Sequence, residues 1–186
     1  MRECMETERL LLRPFSTGDE RDCFAFLSDR ETCHLDGGYE PFTEMDEAYK
    51  CIMEKFQRQK NRLMLVKRSE NRVIGTLHWF PDERRSAKTM EIGYIVSPDC
   101  RRKGYAVEAV KALIGYLIQE EGMELVTATA AAQNIPSIAL LKKLGFIWEG
   151  RIHKAFRLPG YGLVDLESFY WEESSSRNGE EKENVL

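Results

Sequence analysis

Apolar and polar positions interleave in short runs over the first half of the chain, then settle into longer blocks of helical spacing. Glu8–Pro14 reads as a first strand that ends at the proline, whose missing N–H stops a ladder. Asp19–Leu27 carries Cys23, Phe24, Phe26 and Leu27 and predicts a short helix. A second helix is predicted from Thr43 towards Gln59, with Thr43 as its cap and Asp46 three residues on. Between the two, His34–Tyr39 holds the pair Gly37-Gly38 and reads as a loop. Leu63–Val66, Val73–Phe80 and Met90–Val96 predict three strands, joined by a turn at Glu70-Asn71 and a charged loop from Asp82 to Lys88. Such short connections favour an antiparallel meander.

The pattern then changes. From Ala106 to Gln119, Ala106, Val110, Leu113 and Leu117 share one helical face, with Val107, Ile114 and Ile118 beside them and Gly122 as a stop. Leu125–Thr129 reads as a strand. Pro136–Leu144 reads as a helix with Asn134 near its cap and Gly145 at its end. Phe146–Trp148 and Val164–Trp171 read as two last strands around a Pro159-Gly160 turn. The strand–helix–strand piece from Met90 to Thr129 implies a parallel crossover. The fold class is therefore α/β in the broad sense: one mixed sheet with helices on both faces.

The junction Ser97–Ala106 joins a strand to a helix start through Arg101, Arg102, Lys103 and Gly104. A helix N-terminus presents unpaired N–H groups and about half a positive charge, so it is an anion site, and phosphate suits it. Gly104 would let the backbone approach that guest without a Cβ in the way. Neither a Walker loop nor the dinucleotide G-x-G-x-x-G pattern is present.

Composition narrows the class. The chain has 186 residues, 42% hydrophobic, enough for one domain with a substantial core. We expect one domain over residues 1–171 and an acidic, disordered tail over residues 172–186, which carries a net −3 of the chain's −4. The remaining body is nearly neutral, which argues against a nucleic-acid surface. No apolar run approaches the roughly 18 residues of a membrane span, and the first residues do not resemble a secretory signal. Five cysteines without a C-x-x-C suggest neither a disulfide framework nor a metal site, so a cytoplasmic protein with reduced thiols is expected. Cys100 stands beside three basic residues, surroundings that can lower a thiol pKa; the other reading, which we favour, is a loop cysteine with no role.

The order strand, Arg101-x-x-Gly104-x-Ala106, helix, strand, Asn134-x-x-Ser137, helix, Leu144-Gly145-Phe146 resembles the GNAT superfamily of N-acetyltransferases. Glu91-Ile92-Gly93-Tyr94 before it, and Phe146-x-x-Glu149-Gly150 with the late Asp165, extend the likeness from about Glu8 to Trp171. The most similar subgroup is that of the ribosomal-protein N-terminal (alanine/serine) acetyltransferases. The resemblance implies acetyl-CoA as co-substrate, no metal, and an amine acceptor, either a protein N-terminus or a small molecule. It implies that the strands Met90–Val96 and Leu125–Thr129 splay apart. The pantetheine arm would then bond Ile95, Val96 and Asn134, and the pyrophosphate would lie on Arg101, Arg102, Lys103, Gly104, Tyr105 and Ala106.

The chemistry so implied is direct attack of a neutral amine on a thioester. At pH 7 an α-amine of pKa about 8 loses its proton at a cost of about 1.4 kcal/mol, and a lysine-like amine near 10.4 at about 4.6 kcal/mol. Glu91, a carboxylate on an otherwise apolar strand, is the candidate base, with a paired structural carboxylate as the other reading. His34, His78 and His153 are rival bases. Relatives with Tyr-x-x-x-Gly-Phe use the tyrosine as acid; Leu141 fills that slot here, and Ser137 takes the role by resemblance, or else only caps its helix. Lys142 and Lys143 either reach the CoA 3′-phosphate or form a solvated face. The segment with His34, Asp36 and Tyr39 would form one wall for the acceptor. The alternative function is a non-catalytic acyl-CoA-binding or sensory module on the same fold. A monomer and a homodimer are both compatible with the sequence.

Overall fold

The computed structural model describes residues 4–37, 39–56 and 59–173, without the side chains of Asp36, Cys51, Met53, Glu54 and Lys55. The tail proposed at residues 172–186 lies outside the described residues beyond Glu173. Eight strands form one sheet: β1 (Met5–Glu6), β2 (Leu10–Arg13), β3 (Arg62–Lys67), β4 (Arg72–Pro81), β5 (Thr89–Val96), β6 (Leu125–Ala131), β7 (Ile147–Leu158) and β8 (Gly162–Trp171). Their spatial order is β1-β2-β3-β4-β5-β6-β8-β7. Every neighbouring pair is antiparallel except β5 and β6, which are parallel. The meander and the crossover expected from loop lengths are therefore both present.

The helices are α1 (Glu20–Leu27), α2 (Arg30–Thr32), α3 (Met45–Lys55), α4 (Tyr105–Gln119) and α5 (Ile135–Lys143). On one face of the sheet α4 buries Ala109, Val110, Leu113, Ile114 and Leu117 against Leu65, Leu77, Ile92, Val126 and Phe169. Full burial of each such aliphatic side chain is worth about 1.5–3 kcal/mol. On the other face α1 and α3 pack Cys23, Phe26, Leu27, Ala48, Ile52 and Phe56 onto Met64, Val66, Val73 and Ile95. Ile74 is the extra residue of a bulge: Val66 faces Val73 while Leu65 faces Gly75. The bulge turns Ile74 to the α4 side with Leu77 and Trp79.

Three local expectations change. Thr43 does not cap α3; the N-cap is Glu44, without a side-chain cap bond. Cys33–Gly37 is not an open loop but a π-helical turn running on from α2. The strand expected at Phe146–Trp148 extends to Leu158, because β7 is an edge strand exposed over nearly its whole length. An edge strand has no buried face to impose alternation, so its sequence carries no period-2 signal.

The feature that positions the site is a divergence. β5 and β6 pair only at Thr89–Leu125, Met90–Val126 and Glu91–Thr127. Beyond Glu91, β5 stays with β4 as far as Val96–Gly75, and β6 stays with β8 as far as Ala131–Leu166. The sheet thus opens into a wedge at the C-terminal ends of its one parallel pair.

Candidate active site

Two cavities fill this wedge. The larger, about 650 Å³, lies between the loop from Pro98 to Gly104, the first turn of α4 and one side of α5 from Pro136 to Lys143. The smaller, about 280 Å³, is walled by His78, Phe80, Glu91, Thr129, Phe156 and Leu166. Leu35, Tyr94, Asn134 and Ser137 line both, so the cavities meet at these four residues.

The large cavity ends on the anion site read from the sequence. A 3₁₀ turn at Pro98–Cys100 leads into Arg102 at φ 59° and Gly104 at φ 85°. Left-handed residues in such a loop shape a backbone concavity suited to anions. The ladder of α4 begins with Glu108 N–H donating to Gly104 O (3.0 Å), which leaves the N–H groups of Tyr105, Ala106 and Val107 without intrahelical acceptors. The loop is braced from outside by Arg9. Its Nη1 donates to Lys103 O (2.8 Å), its Nε to Glu108 Oε2 (2.7 Å), and its guanidinium lies 4.6 Å from the Tyr105 ring centre. A Cβ on Gly104 would come within 3.2 Å of Arg9 Nη2. The direction that Gly104 keeps clear is therefore occupied by Arg9, a different reason for the glycine from the one expected.

The basic side chains divide. Arg101 clamps α2 to the loop, donating to Thr32 Oγ1, Glu31 Oε2 (3.3 Å) and Val96 O (3.3 Å). Lys103 Nζ turns back to Asp99 O (2.7 Å). Arg101, Arg102 and Lys143 line the cavity, whereas Lys142 does not. Cys100 is buried, and desolvation together with Asp99 raises its thiol pKa. This overturns the expectation of a lowered value: the neighbouring basic side chains matter less than burial. Along β5 the backbone alternates. Ser97 N–H donates to Ile74 O and Thr89 O accepts from Asp82 N–H, so odd-numbered residues of β5, Ile95 among them, address β4. The polar groups of Tyr94 and Val96 face the wedge.

Where the cavities meet, Asn134 caps α5, its Oδ1 accepting from Ser137 N–H (3.1 Å) and its Nδ2 donating to Leu35 O (3.4 Å). Ser137 Oγ and Tyr94 Oη are 2.9 Å apart. Leu141, in the slot of the missing tyrosine, is fully buried in the core. Tyr94 was not singled out in the sequence; its place three residues after Glu91 on the same strand was the available signal.

Glu91 is engaged on both oxygens, Oε2 by Arg84 Nη2 (2.7 Å) and Oε1 by Thr129 Oγ1 (2.8 Å). Arg84 also grips buried Asp82 through two bonds of 2.6 and 2.8 Å, and Thr127 donates to Asp82 at 3.0 Å. These donors, Arg84 first, hold the Asp82 carboxyl down at about 2. Arg85 joins the network by donating to Glu149, whose pKa is lowered mainly by that bond. The Asp82–Lys88 loop thus supplies the cations beside Glu91, which the sequence showed only as a charged stretch.

The histidines separate as well. His78 lines the small cavity, and burial, then Arg62, push it down to about 4; it is neutral near pH 7. His153 is exposed on the β7–β8 hairpin, 3.0 Å from Asp165. His34 is buried with its Nε2 3.2 Å from Glu40 Oε2, and Tyr39 packs its ring against Phe42; neither lines either of these two cavities. From that segment Leu35 reaches the junction instead. The side chain of Asp36 lies outside the described residues.

Comparison with known proteins agrees with this geometry. Residues 9–147 match the acetyltransferase (GNAT) domain family. An uncharacterized N-acetyltransferase of Bacillus subtilis, YnaD, is 31% identical over 150 residues, covering 80% of this chain and 85% of that protein. The spermidine N(1)-acetyltransferase of Vibrio cholerae is 26% identical, covering 93% and 98%. An acetyltransferase structure from Bacillus anthracis superposes with a TM-score of 0.80 at 24% identity, covering 91% and 98%. The ribosomal-protein-S5-alanine acetyltransferase of Vibrio fischeri gives 0.71 at 19%, covering 92% and 97%. The chain belongs to the GNAT acetyltransferase family.

Proposed function

We propose that this GNAT-family chain transfers the acetyl group of acetyl-CoA directly to a primary amine, and that an α-amine with an apolar neighbour is its acceptor. The observation that carries the reading is the meeting of two cavities at Tyr94 and Ser137, one ending on the α4 N-terminus and the other on Glu91. The fit to an acyl-CoA is one of shape and charge. The first-turn N–H groups from Tyr105 to Val107, with Arg102 and Lys143, would hold its phosphates. The backbone of Tyr94 and Val96 would take the amide-bearing arm in the wedge. Asn134 shapes that wedge by fixing the start of α5. Arg101 and Lys103 act by holding the loop in place.

In the small cavity, Glu91 would orient the amine and receive its proton, directly or through water. Arg84 and Thr129 keep its carboxylate fixed. The walls favour the α-amine. Phe80, Phe156, Leu158 and Leu166 are apolar, and among the described residues the one carboxylate lining the cavity, Glu91, is already paired with Arg84. A polycation such as the substrate named for the Vibrio cholerae relative would need more negative charge than these walls provide. An α-amine also needs only about 1.4 kcal/mol to lose its proton at pH 7. This supports the N-terminal subgroup suggested by Asn134-x-x-Ser137. A cytosolic setting suits five cysteines without a C-x-x-C and an acetyl-CoA substrate.

The test is CoA-thiol release with a peptide bearing N-terminal alanine or serine, an apolar monoamine, spermidine, an aminoglycoside and a free amino acid. The peptide should give the highest kcat/KM, and a higher value for the monoamine would refute the α-amine reading. Preference for spermidine would overturn the acceptor assignment. Tight acetyl-CoA binding with no turnover on any amine would leave the non-catalytic binding module.

A further inference from the structure

We propose that Tyr94 is the acid that protonates the departing CoA sulfur, with Ser137 as the residue that positions it. The proposal rests on the acetyl-transfer reading above. The scissile bond must lie where the two cavities meet, because the donor enters from one and the amine from the other. Of the four described side chains there, Leu35 carries no proton to give. Asn134 is an amide, and its polar atoms hold Ser137 N–H and Leu35 O. That leaves two hydroxyls 2.9 Å apart, from strand β5 and the first turn of α5.

The two hydroxyls are not equivalent acids. A phenol titrates near 10, within about two units of a thiol near 8.5, whereas an aliphatic hydroxyl does not ionise in the accessible range. Proton transfer to the sulfur is therefore far easier from Tyr94 than from Ser137. Ser137 is fixed at its own backbone by the Asn134 cap, and its Oγ bonds Tyr94 Oη, which keeps the phenol at the junction. The step balances. The amine nitrogen bonds the carbonyl carbon, and the carbon–sulfur bond breaks with its electron pair on sulfur. Sulfur takes the Tyr94 proton, and the proton that the nitrogen gives up passes through Glu91 and water to the Tyr94 oxygen. No redox partner is needed. Leu141 is committed to the core, so α5 offers no tyrosine at that position, and the strand supplies the phenol instead.

The experiment compares wild type, Tyr94→Phe, Ser137→Ala and the double variant. It measures kcat and KM for acetyl-CoA, and titrates the thiol of bound CoA by the ultraviolet absorbance of its thiolate. A melting scan checks that Tyr94→Phe, which keeps the ring, is folded. Tyr94→Phe should lower kcat by about 10²-fold or more with KM within about threefold. The bound thiol should titrate at higher pH, because the thiolate has lost its donor. Ser137→Ala should lose less, and the double variant no more than Tyr94→Phe alone. A Tyr94→Phe enzyme with kcat within about threefold and an unmoved thiol titration would overturn the proposal. A larger loss in Ser137→Ala than in Tyr94→Phe would make the serine the acid. Wild type that binds CoA but acetylates no amine would refute the functional reading alone, and the thiol titration would still decide on Tyr94. Wild type that binds no CoA would overturn both.

Discussion

Gly104→Ala separates two reasons for a glycine in the phosphate loop. The residue sits at φ 85°, where an L side chain costs about 1–2 kcal/mol. The new Cβ would lie 3.2 Å from Arg9 Nη2, so the guanidinium has to retreat by a few tenths of an ångström. Arg9 is tied to Glu108, to Lys103 O and to the Tyr105 ring, and loosening this partly exposed set adds about 0.5 kcal/mol. The destabilisation expected is about 1.5–2.5 kcal/mol. For a chain of this size that lowers Tm by about 3–10 °C. Because the Cβ projects towards Arg9, acetyl-CoA affinity should change by less than about threefold, well under the tenfold that 1.4 kcal/mol represents. Calorimetric melting and titration of acetyl-CoA measure the two quantities. In an Arg9→Ala background the contact disappears and only the φ penalty should remain. An unchanged Tm with a tenfold loss of affinity would refute the reasoning and show that the bound guest, not the backbone and Arg9, demands glycine.

Gly75→Ala should be more damaging, since its Cβ would meet the backbone oxygen of Ile95 at 2.1 Å; urea unfolding should report a loss of about 3 kcal/mol, the upper part of the overpacking range. Asp82 is held at about 2 in the folded chain against an ordinary 3.8, so its stabilisation is present above about pH 4 and lost as the pH falls through 2. An acid melting series should show that loss, and Asp82→Asn should flatten it. Cys100 should resist alkylation in the native protein while exposed Cys4 reacts, as peptide mapping after brief iodoacetamide treatment would show. Glu91→Gln should lower kcat by about 10²-fold and flatten its alkaline rise; an unaltered pH profile would remove Glu91 from the proton path.

Much of the frame was legible because it depends on local rules. Short apolar runs bounded by turns marked β3, β4 and β5, helical spacing marked α4, and chain connectivity required the parallel crossover. Asn134 announced a cap through residue type alone, whereas the left-handed backbone of Gly104 emerged with the structure. What escaped has a common cause. β7 is exposed on both faces and has no pattern to read. The π-helical turn at Cys33–Gly37 is selected by contacts with distant elements, which bring Leu35, not His34 or Tyr39, to the cavities. Burial reversed the expectation for Cys100, since a thiol in a sequence cannot be seen to lose its water.

The sequence by itself determined the order of elements and pointed to the helix start, carboxylate and serine that line the two cavities, because caps, turns and amphipathic spacing act over a few residues. Only the tertiary structure decided that Arg84 and Thr129 hold Glu91, that Arg9 braces the phosphate loop from 95 residues away in the chain, and that Tyr94 meets Ser137. These pairings depend on where β5 and β6 part. That divergence is set by each strand's other neighbour, β4 or β8, and no local stretch of sequence encodes it.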